Sequence, residues 1–540
     1  MESLKSTQNF SKVSVEVNPN LELFAVVYIL AFNGSDPFII APRDYVQDVL
    51  TYFAPYRNSE AVTLMKDIMP QSFPYYIRDR SIVSFAGNLV KMPYLGNMSE
   101  EDPLLTGLYQ QLVKFAKESN FIQFYNAHKE TYEKAAKPFR EVLPDEIPQK
   151  FVEFFGYSYT SYKVELSYSL WIHPHSEYSA DSAICVMTAQ GDPLRQGMVI
   201  IHEFTHPYTN HLVDSHSRIF ENLTYYVDEV QREFPAWASR NPEHYSDKYY
   251  WYELLTESFA VYLANTSNTS LTKIVRYHEL ERLAIGYYLL DEVIREFKTF
   301  EQSKKPNETL SDYLPVLVSH LERAATPKNI TSYFKQKVPV TRFWFLEKSY
   351  SAGRVIIVYS SHNPDETGNE YDRETALQLK DYLSTLFSST YGGIPPSIVI
   401  KSDREVTAED LKENLILVGG PAANNLTKII QNKLPIKFIL NETWELKRDP
   451  VIVKEFSAFL FRSDTFDALS LSTPIPEESL GVVEVIRNPW SDENFILIVA
   501  GIDRYNTRRM IENVRVSPLS YIIDGDEYIE VGFYTWGCDP

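Results

Sequence analysis

Cysteine is nearly absent from the chain. Cys185 and Cys538 are the only two cysteines among 540 residues. They lie far apart in the sequence, and one bridge between them could not hold together a chain of this size. We therefore expect the fold to depend on a hydrophobic core, for which this length and a hydrophobic content of 44% are ample.

The sequence also lacks a long apolar run. The longest run, residues 21–32, is interrupted by Glu22 and is shorter than the roughly 20 residues that a membrane-spanning helix needs. The start, Met1-Glu-Ser-Leu-Lys5, has neither the basic part nor the apolar part of a signal peptide. We expect no transmembrane segment, and an exported form of the protein would have a leader that is absent from this sequence.

Positive charge is in deficit. The net charge is −20 and the isoelectric point about 5.1, so we expect neither nucleic acid nor an anionic membrane as a partner. Gly-x-Gly-x-x-Gly and Walker patterns are missing. Gly419-Gly-Pro421 follows a strand pattern and opens a helix, where phosphate could bind, but a tight turn is the favoured interpretation.

Asparagine glycosylation triplets are frequent. Roughly four Asn-x-Ser/Thr triplets would arise by chance in a chain of this composition, and the sequence contains more. The excess favours an extracellular or cell-surface protein, and a Ser/Thr-rich surface is the alternative explanation. The triplets begin at Asn9, Asn33, Asn97, Asn222, Asn265, Asn268, Asn307, Asn329, Asn425 and Asn441.

Helical patterns dominate the first 160 residues. Apolar periodicity predicts several helices before residue 137. The pattern then changes: alternation predicts a strand over residues 163–172, and Ser182–Thr188 is predicted as a second strand. We interpret 12–160 as a helical N-terminal part and 161–335 as the core of one unit.

The strongest chemical signal is His202-Glu-Phe-Thr-His206. Two histidines four residues apart leave the same face of a helix and can hold one zinc ion. Glu203 lies beside the first histidine, where its carboxylate can reach a water at the metal. The motif therefore predicts a zinc site with Glu203 as a catalytic base.

The flanking residues predict the bounds of this helix. Asp192 is suited to the N-cap and Pro193 to the first helical position. Pro207 lacks the amide hydrogen that would bond the carbonyl of Glu203. We therefore expect the helix to kink or end just after His206.

A catalytic zinc needs a third protein ligand and one open position. A metzincin-type third histidine is excluded, because Leu212 stands at the required position and His211 falls one residue short. Glu253 and Glu257 lie four apart on one face of an apolar helix, where a carboxylate is costly unless it meets a cation. Three further acidic residues have no recognisable ligand setting: Glu221, Asp228 and Glu229.

Thr256-Glu-Ser-Phe-Ala-Val-Tyr262 resembles the Asn-Glu-Gly-Phe-Ala-x-Tyr ligand helix of gluzincin aminopeptidases. This resemblance implies Glu257 as the third zinc ligand, with Glu253 in reserve. The Gly-x-Met-Glu-Asn motif with which those aminopeptidases anchor the substrate amine is absent. That absence favours an endopeptidase.

Residues 12–330 resemble DUF4932, an uncharacterised family of metallopeptidase-like proteins. The resemblance rests on Val15-Glu-Val-Asn-Pro-Asn-Leu-Glu-Leu23, on His202-Glu-Phe-Thr-His206-Pro and on the later glutamate helix. It implies an α+β zincin-like catalytic region, mostly helical, with a short mixed sheet beside two active-site helices. In this interpretation 12–160 is the helical part of the catalytic unit and 161–335 is its core. By analogy with zinc peptidases, Ser182–Thr188 is expected at a sheet edge, where it would pair with substrate backbone. The resemblance implies no particular substrate.

With zinc on His202, His206 and Glu257, the expected reaction is hydrolysis of a peptide or protein substrate. Zinc at such a site activates water and polarises the scissile carbonyl. Glu203 would take the proton and pass it to the leaving amine. An oxyanion donor is expected as well; His211, His216, Tyr208 and the aromatic run 249–252 are candidates, although a structural role is favoured for each.

The order of elements changes over residues 345–540. Strand patterns alternate with helical ones, which predicts a three-layer α/β domain with a largely parallel sheet. Leu415 to Thr427, Asn488-Pro-Trp490 and Ile496 to Arg504 resemble modules of archaeal surface-layer proteins. This resemblance implies a cell-surface location and a cell-surface partner for the domain.

Two functions are compatible with these observations. The first is a zinc metallopeptidase with a surface-layer-like domain. The alternative is a structural cell-surface protein, associated with a surface layer, whose zinc site is vestigial or non-catalytic. A structural zinc normally has four protein ligands and needs no neighbouring base, so Glu203 favours the enzyme.

Overall fold

A computed structural model describes residues 12–72, 75–92, 103–220, 223–233, 247–363, 366–440, 444–462 and 465–536. Cys538, Glu221 and the triplets that begin at Asn9, Asn97, Asn222 and Asn441 lie outside these ranges. The chain forms two compact units: unit 1 is Met1–Leu212, Phe259–Thr272 and Lys298–Tyr313, and unit 2 is Val213–Ser258, Lys273–Phe297 and Leu314–Pro540. The boundaries at 12–160, 161–335 and 345–540 stay a prediction.

Helices account for most of the described chain before residue 352. Several helices lie before residue 137, as the sequence predicts. The α-helices are Pro19–Ala31, Arg43–Tyr52, Glu60–Ile68, Tyr75–Val90, Pro103–Glu118, Phe121–Ala127, Lys129–Val142, Ile147–Phe155, Pro193–Ser215, Ser217–Phe220, Thr224–Glu233, Asp247–Thr266, Val275–Ala284, Leu290–Ser303, Leu310–Ala324, Pro327–Gln336, Arg342–Ser351, Glu366–Tyr391, Asn425–Ile430 and Arg504–Arg509.

The helix Pro19–Ala31 runs through the core of unit 1. Its start is fixed by Asn18, whose side chain accepts hydrogen bonds from the amides of Asn20 and Leu21. Glu22 in its first turn is fully buried, and burial raises the pKa of this carboxyl. Hydrogen bonds donated by Ser167, Tyr168 and Ser169 offset part of the burial cost and join the helix to the sheet.

Unit 1 contains a four-stranded sheet. Its strands are β1 (Ser14–Val17), β2 (Ser161–Ser167), β3 (His175–Tyr178) and β4 (Ser182–Thr188), in the order β1-β2-β4-β3. β1 and β2 are parallel, as are β2 and β4, whereas β3 and β4 are antiparallel. The prediction of a mostly helical region with a short mixed sheet is confirmed.

The prediction that Ser182–Thr188 forms an edge strand is wrong. β4 pairs with β2 on one side and, over Ala183–Val186, with β3 on the other. The chain reverses between β3 and β4, and β3 therefore occupies the edge among the described strands. The sequence predicts Ser182–Thr188 as a strand, but a local run of residues carries no information about which strands flank it.

Glu165 in β2 gives unit 1 a pH-dependent stability. Its side chain is buried, accepts a hydrogen bond from Asn18 Nδ2 at 3.0 Å, and has a pKa raised by burial to about 7. The folded state therefore holds a proton that the unfolded chain releases near pH 4.5, and stability falls as pH rises from about 4.5 to 7.

Glu165→Gln is expected to remove this pH slope and to stabilise the protein at pH 8 by up to about 3 kcal/mol. Urea unfolding at pH 5 and pH 8 measures both effects. Glu130→Gln, at an exposed position on a helix of the same unit, is the matched control. An unchanged pH slope in Glu165→Gln would show that Glu165 titrates normally.

Unit 2 contains a nine-stranded sheet and a two-stranded one. The strands are β5 (Arg354–Tyr359), β6 (Ser397–Ser402), β7 (Leu415–Val418), β8 (Ile436–Leu440), β9 (Trp444–Arg448), β10 (Val453–Arg462), β11 (Thr465–Leu469), β12 (Ser479–Arg487), β13 (Phe495–Gly501), β14 (Tyr521–Gly525) and β15 (Tyr528–Trp536). The order in the nine-stranded sheet is β11-β10-β15-β14-β12-β13-β7-β5-β6, and β8 pairs with β9.

The three-layer α/β domain was predicted with a largely parallel sheet, and this part of the prediction is wrong. Only β6, β5, β7 and β13 form a parallel group. β12, β14, β15, β10 and β11 pair antiparallel with their neighbours. The reason is loop length: β14 and β15 are joined by Asp526-Glu527 alone, which permits a hairpin and leaves no room for a parallel crossover.

Two surface properties bear on the location of the protein. No helix in the part of the chain that the structure describes is both long and apolar enough to cross a bilayer. Every glycosylation triplet within the described residues has an exposed asparagine, which is the position that glycan attachment requires. These asparagines are Asn33, Asn265, Asn268, Asn307, Asn329 and Asn425.

Candidate metal centre

His202 and His206 lie on the helix Pro193–Ser215, which we call the motif helix. Its predicted start is confirmed, because Asp192 Oδ1 accepts a hydrogen bond from the amide of Arg195 at 2.9 Å. Of the kink or end predicted just after His206, the end is wrong. Pro207 lies inside the helix, and the buried side chains of Tyr208 and Leu212 continue its packed face beyond the proline.

The two imidazoles of the motif helix face each other. Their Nε2 atoms are 2.9 Å apart, and their rings are perpendicular with centroids 4.5 Å apart. Zinc bound tetrahedrally at ~2.05 Å to each nitrogen would separate them by ~3.3 Å. The pair therefore fits one metal ion after a small opening of the rings. Asn210 Oδ1, 3.4 Å from His206 Nδ1, can accept the other ring hydrogen and leave Nε2 available as a ligand.

Glu203 completes this group within unit 1. One ligand atom each from His202, Glu203 and His206 lie within 4.8 Å of one another. The Glu203 side chain is mostly buried, with 8% of the residue exposed. Burial, together with the negative charge of Glu203, raises the pKa of the Cys185 thiol on β4 well above its usual value. The carboxylate of Glu203 is thus near enough to β4 to act on this thiol, in a poorly solvated setting that suits a base.

Tyr208 has a structural role. Its ring stacks on Phe151 with centroids 4.2 Å apart. Its hydroxyl is hydrogen-bonded to the Tyr162 hydroxyl and accepts a hydrogen bond from the Tyr159 amide. A hydroxyl committed to these partners is unsuited to an oxyanion, so the structure favours the structural interpretation of Tyr208 over the catalytic one.

Glu253 and Glu257 belong to unit 2 and lie on the helix Asp247–Thr266, which we call the acid helix. Both are buried, at 7% and 3% exposure, and their ligand oxygens lie within 4.8 Å of each other. They belong to a second His/Glu group that could hold a metal among the described residues. The acid helix therefore presents two carboxylates one turn apart.

The Glu257 carboxylate is held by two cationic or hydrogen-bonding side chains of the neighbouring helix, Val275–Ala284. His278 Nε2 lies 2.9 Å from Glu257 Oε2, and Arg282 Nε lies 3.3 Å from Oε1. Burial alone would lower the pKa of Arg282, but the carboxylates of Glu257, Glu281 and Glu253 raise it overall, so the guanidinium stays charged. Arg282 thus supplies a cation that Glu257 needs, and His278 fixes the orientation of its carboxylate.

His278 and Arg282 were not anticipated from the sequence. They lie on an ordinary amphipathic helix, and no motif marks them. The available signal was chemical: two buried glutamates require partners, and a His and an Arg four residues apart on a nearby helix can provide them.

A family model matches part of the chain. Residues 388–514 match the family model described as the S-layer like family, outer domain. The matched range begins within the helix Glu366–Tyr391 and ends after the helix Arg504–Arg509. It covers less than half of the chain, so it characterises this part of unit 2. No protein of known function matches the sequence.

The match confirms the surface-layer-like character of the C-terminal region. It is consistent with a cell-surface location. It does not concern the motif helix or the acid helix, whose chemistry depends on their own geometry.

Proposed function

We propose that the protein is a zinc-dependent peptidase of the cell surface, with His202 and His206 as metal ligands and Glu257 as the third. The observation that carries the proposal is the grouping of His202, Glu203 and His206 on one face of the motif helix. Imidazole and carboxylate together are the donor set that catalytic zinc prefers. The zincin-like catalytic fold and the preference for internal peptide bonds are part of this proposal.

The residues of the motif helix have distinct tasks in the proposed reaction. His202 and His206 offer Nε2 lone pairs from adjacent turns, and Asn210 holds the second imidazole in the required tautomer. Zinc, when bound, supplies Lewis acidity to the scissile carbonyl and to water. Glu203 accepts a proton from the attacking water and donates it to the departing amine. Its partial burial lessens competition from bulk water for the carboxylate.

Metal analysis combined with a casein digest tests the proposal. We expect one zinc per chain and cleavage that a chelator abolishes and added zinc restores. Bound zinc without any chelator-sensitive cleavage, across a panel of unfolded proteins, would contradict a peptidase and support a non-catalytic site.

His278→Gln is expected to weaken zinc affinity by about 10–100-fold, because outer partners orient metal-binding carboxylates. Competition with a chromophoric chelator measures the change. His320→Gln is the matched control, since His320 also pairs with a glutamate, Glu296 at 2.8 Å, on other helices of unit 2. If His278→Gln and Glu257→Ala bind zinc normally while Glu253→Ala does not, Glu253 is the third ligand.

A second candidate function is a structural role in a surface layer. The match of residues 388–514 favours it and supports the cell-surface assignment without adding support for proteolysis. In this case the His/Glu groups would hold a structural metal or none. Incorporation of the purified protein into a two-dimensional lattice, independent of zinc, would favour the structural role.

A further inference from the structure

A small cavity in unit 2 lies where the parallel strands end. Its volume is about 150 Å³. It is lined by Asn363 after β5, by Gly419–Ala423 after β7 and by Ile502–Arg504 after β13. From β5 the chain continues to its neighbour β6, in one direction across the strand order. From β7 it later reaches its neighbour β13, in the opposite direction. Such a reversal opens a crevice at the carboxyl ends of the strands, where ligands of open α/β sheets bind.

The loop after β7 is held rigidly. Gly419 has a φ of +103°, and a Cβ there would lie 2.0 Å from Ser360 Oγ, so this position requires glycine. Asn424 Nδ2 donates to the carbonyls of Val358 and Val418, both at 3.1 Å. At Gly420, in contrast, an added Cβ would meet no atom closer than 3.9 Å. The loop is therefore rigid before a ligand binds, and the space beside Gly420 is open.

The charges that line the cavity have both signs. Asp372 is buried and accepts a hydrogen bond from Asn363 Nδ2 at 2.8 Å; burial raises the pKa of its carboxyl. Asp503 Oδ1 accepts from the amide of Asn506 at 2.7 Å, which leaves Oδ2 for another donor. Arg504 adds a guanidinium next to these acids. The carboxylates would repel an anion, and Arg504 would repel a cation. The lining therefore suits a neutral ligand that both donates and accepts hydrogen bonds.

The remaining lining is apolar and includes one large ring. Trp444 borders the cavity and packs edge-on against Phe438, with centroids 5.8 Å apart. Pro421 and Ile502 contribute further apolar surface. A cavity of ~150 Å³ holds a six-membered ring of the size of benzene. This cavity is open to solvent, so substituents of the ring can extend beyond it. Size and lining together point to a ring that has hydroxyl groups at its edge and C–H bonds on its face.

We propose that this cavity binds a pyranose sugar, with Asp503 and Arg504 hydrogen-bonding its hydroxyl groups and Trp444 contacting its apolar face. Trp444, Asp503 and Arg504 lie within the surface-layer-like range 388–514, and the cavity shares no residue with the metal groups. A cavity this small accommodates one sugar ring, so we expect weak binding of a free monosaccharide or of a terminal residue of a glycan.

Titration of the full-length protein with D-glucose, D-galactose, D-mannose and N-acetylglucosamine tests the proposal. Saturation-transfer NMR should show ring protons of at least one sugar in contact with the protein, and calorimetry should give a millimolar Kd. Asp503→Ser should weaken that Kd by tenfold or more, because serine keeps a capping oxygen for Asn506 but removes the carboxylate. Asp526→Ser makes the same change at an exposed turn and should leave the Kd unchanged.

Three results would overturn the proposal. The first is the absence of binding by all four sugars to the folded wild-type protein at high millimolar concentration. The second is equal binding by wild type and by both Asp503→Ser and Arg504→Met. The third is saturable binding of phosphate or acetate that Arg504→Met abolishes and sugars do not compete for, which would identify an anion site. If Asp503→Ser shows an altered melting transition, Arg504→Met decides between these outcomes.

Discussion

Glu203→Gln is expected to reduce peptidase activity by about 10²–10⁴-fold and to leave zinc binding intact. Glutamine preserves the size of the side chain and its buried position beside β4. It cannot accept the proton of the attacking water, so the loss falls on kcat while His202 and His206 retain their Nε2 atoms. Steady-state cleavage of a fluorogenic peptide, together with zinc content, measures both properties.

The control for this experiment is Glu130→Gln, an exposed glutamate on another helix of unit 1 that pairs with Lys134. It should cleave at the wild-type rate. Equal activity of Glu203→Gln and wild type would exclude Glu203 as the base and would remove the main argument for an enzyme over a structural metal site.

Arg448→Met is expected to destabilise the protein by about 3–5 kcal/mol. The Arg448 and Glu530 side chains form an ion pair at 3% and 0% exposure, and the Tyr521 hydroxyl donates to Glu530 Oε1 at 2.7 Å. Loss of the guanidinium leaves a carboxylate in the interior without its cation. Urea unfolding followed by circular dichroism measures the loss.

The double variant Arg448→Met/Glu530→Leu distinguishes pairing from packing. We expect it to recover most of the lost stability, because an apolar pair of similar volume replaces the buried charges. Lys412→Met, which breaks the exposed pair with Glu409, is expected to have no measurable effect. Additive losses in the double variant would show that Arg448 contributes through its packing alone.

The motif helix was predictable to a large extent because its signals are local. Asp192, Pro193 and the spacing of His202 and His206 depend only on helix geometry, and the structure reproduces the predicted start and the shared face. Its end was not predictable in the same way. Pro207 removes one backbone hydrogen bond, and the buried Tyr208, stacked on Phe151 from a distant part of the chain, outweighs that loss.

The acid helix illustrates the limit of local reasoning more sharply. Its sequence showed two glutamates in an apolar helix and therefore a need for cations. That His278 and Arg282 hold Glu257 depends on how two helices pack, and no spacing in the sequence encodes it. The same limit applies to β4: the sequence predicted the strand, whereas pairing with β3 removed it from the edge.

The sequence by itself determined the helix-rich character of the first part of the chain, the His-Glu-x-x-His face and the surface-layer-like C-terminal region, because each arises from residues close together in the chain. Tertiary structure alone decided the antiparallel half of the large sheet, the environment of Glu257 and the small cavity after β5, β7 and β13. These features join residues that are tens to hundreds of positions apart, and their energies come from packing and burial that only the folded chain creates.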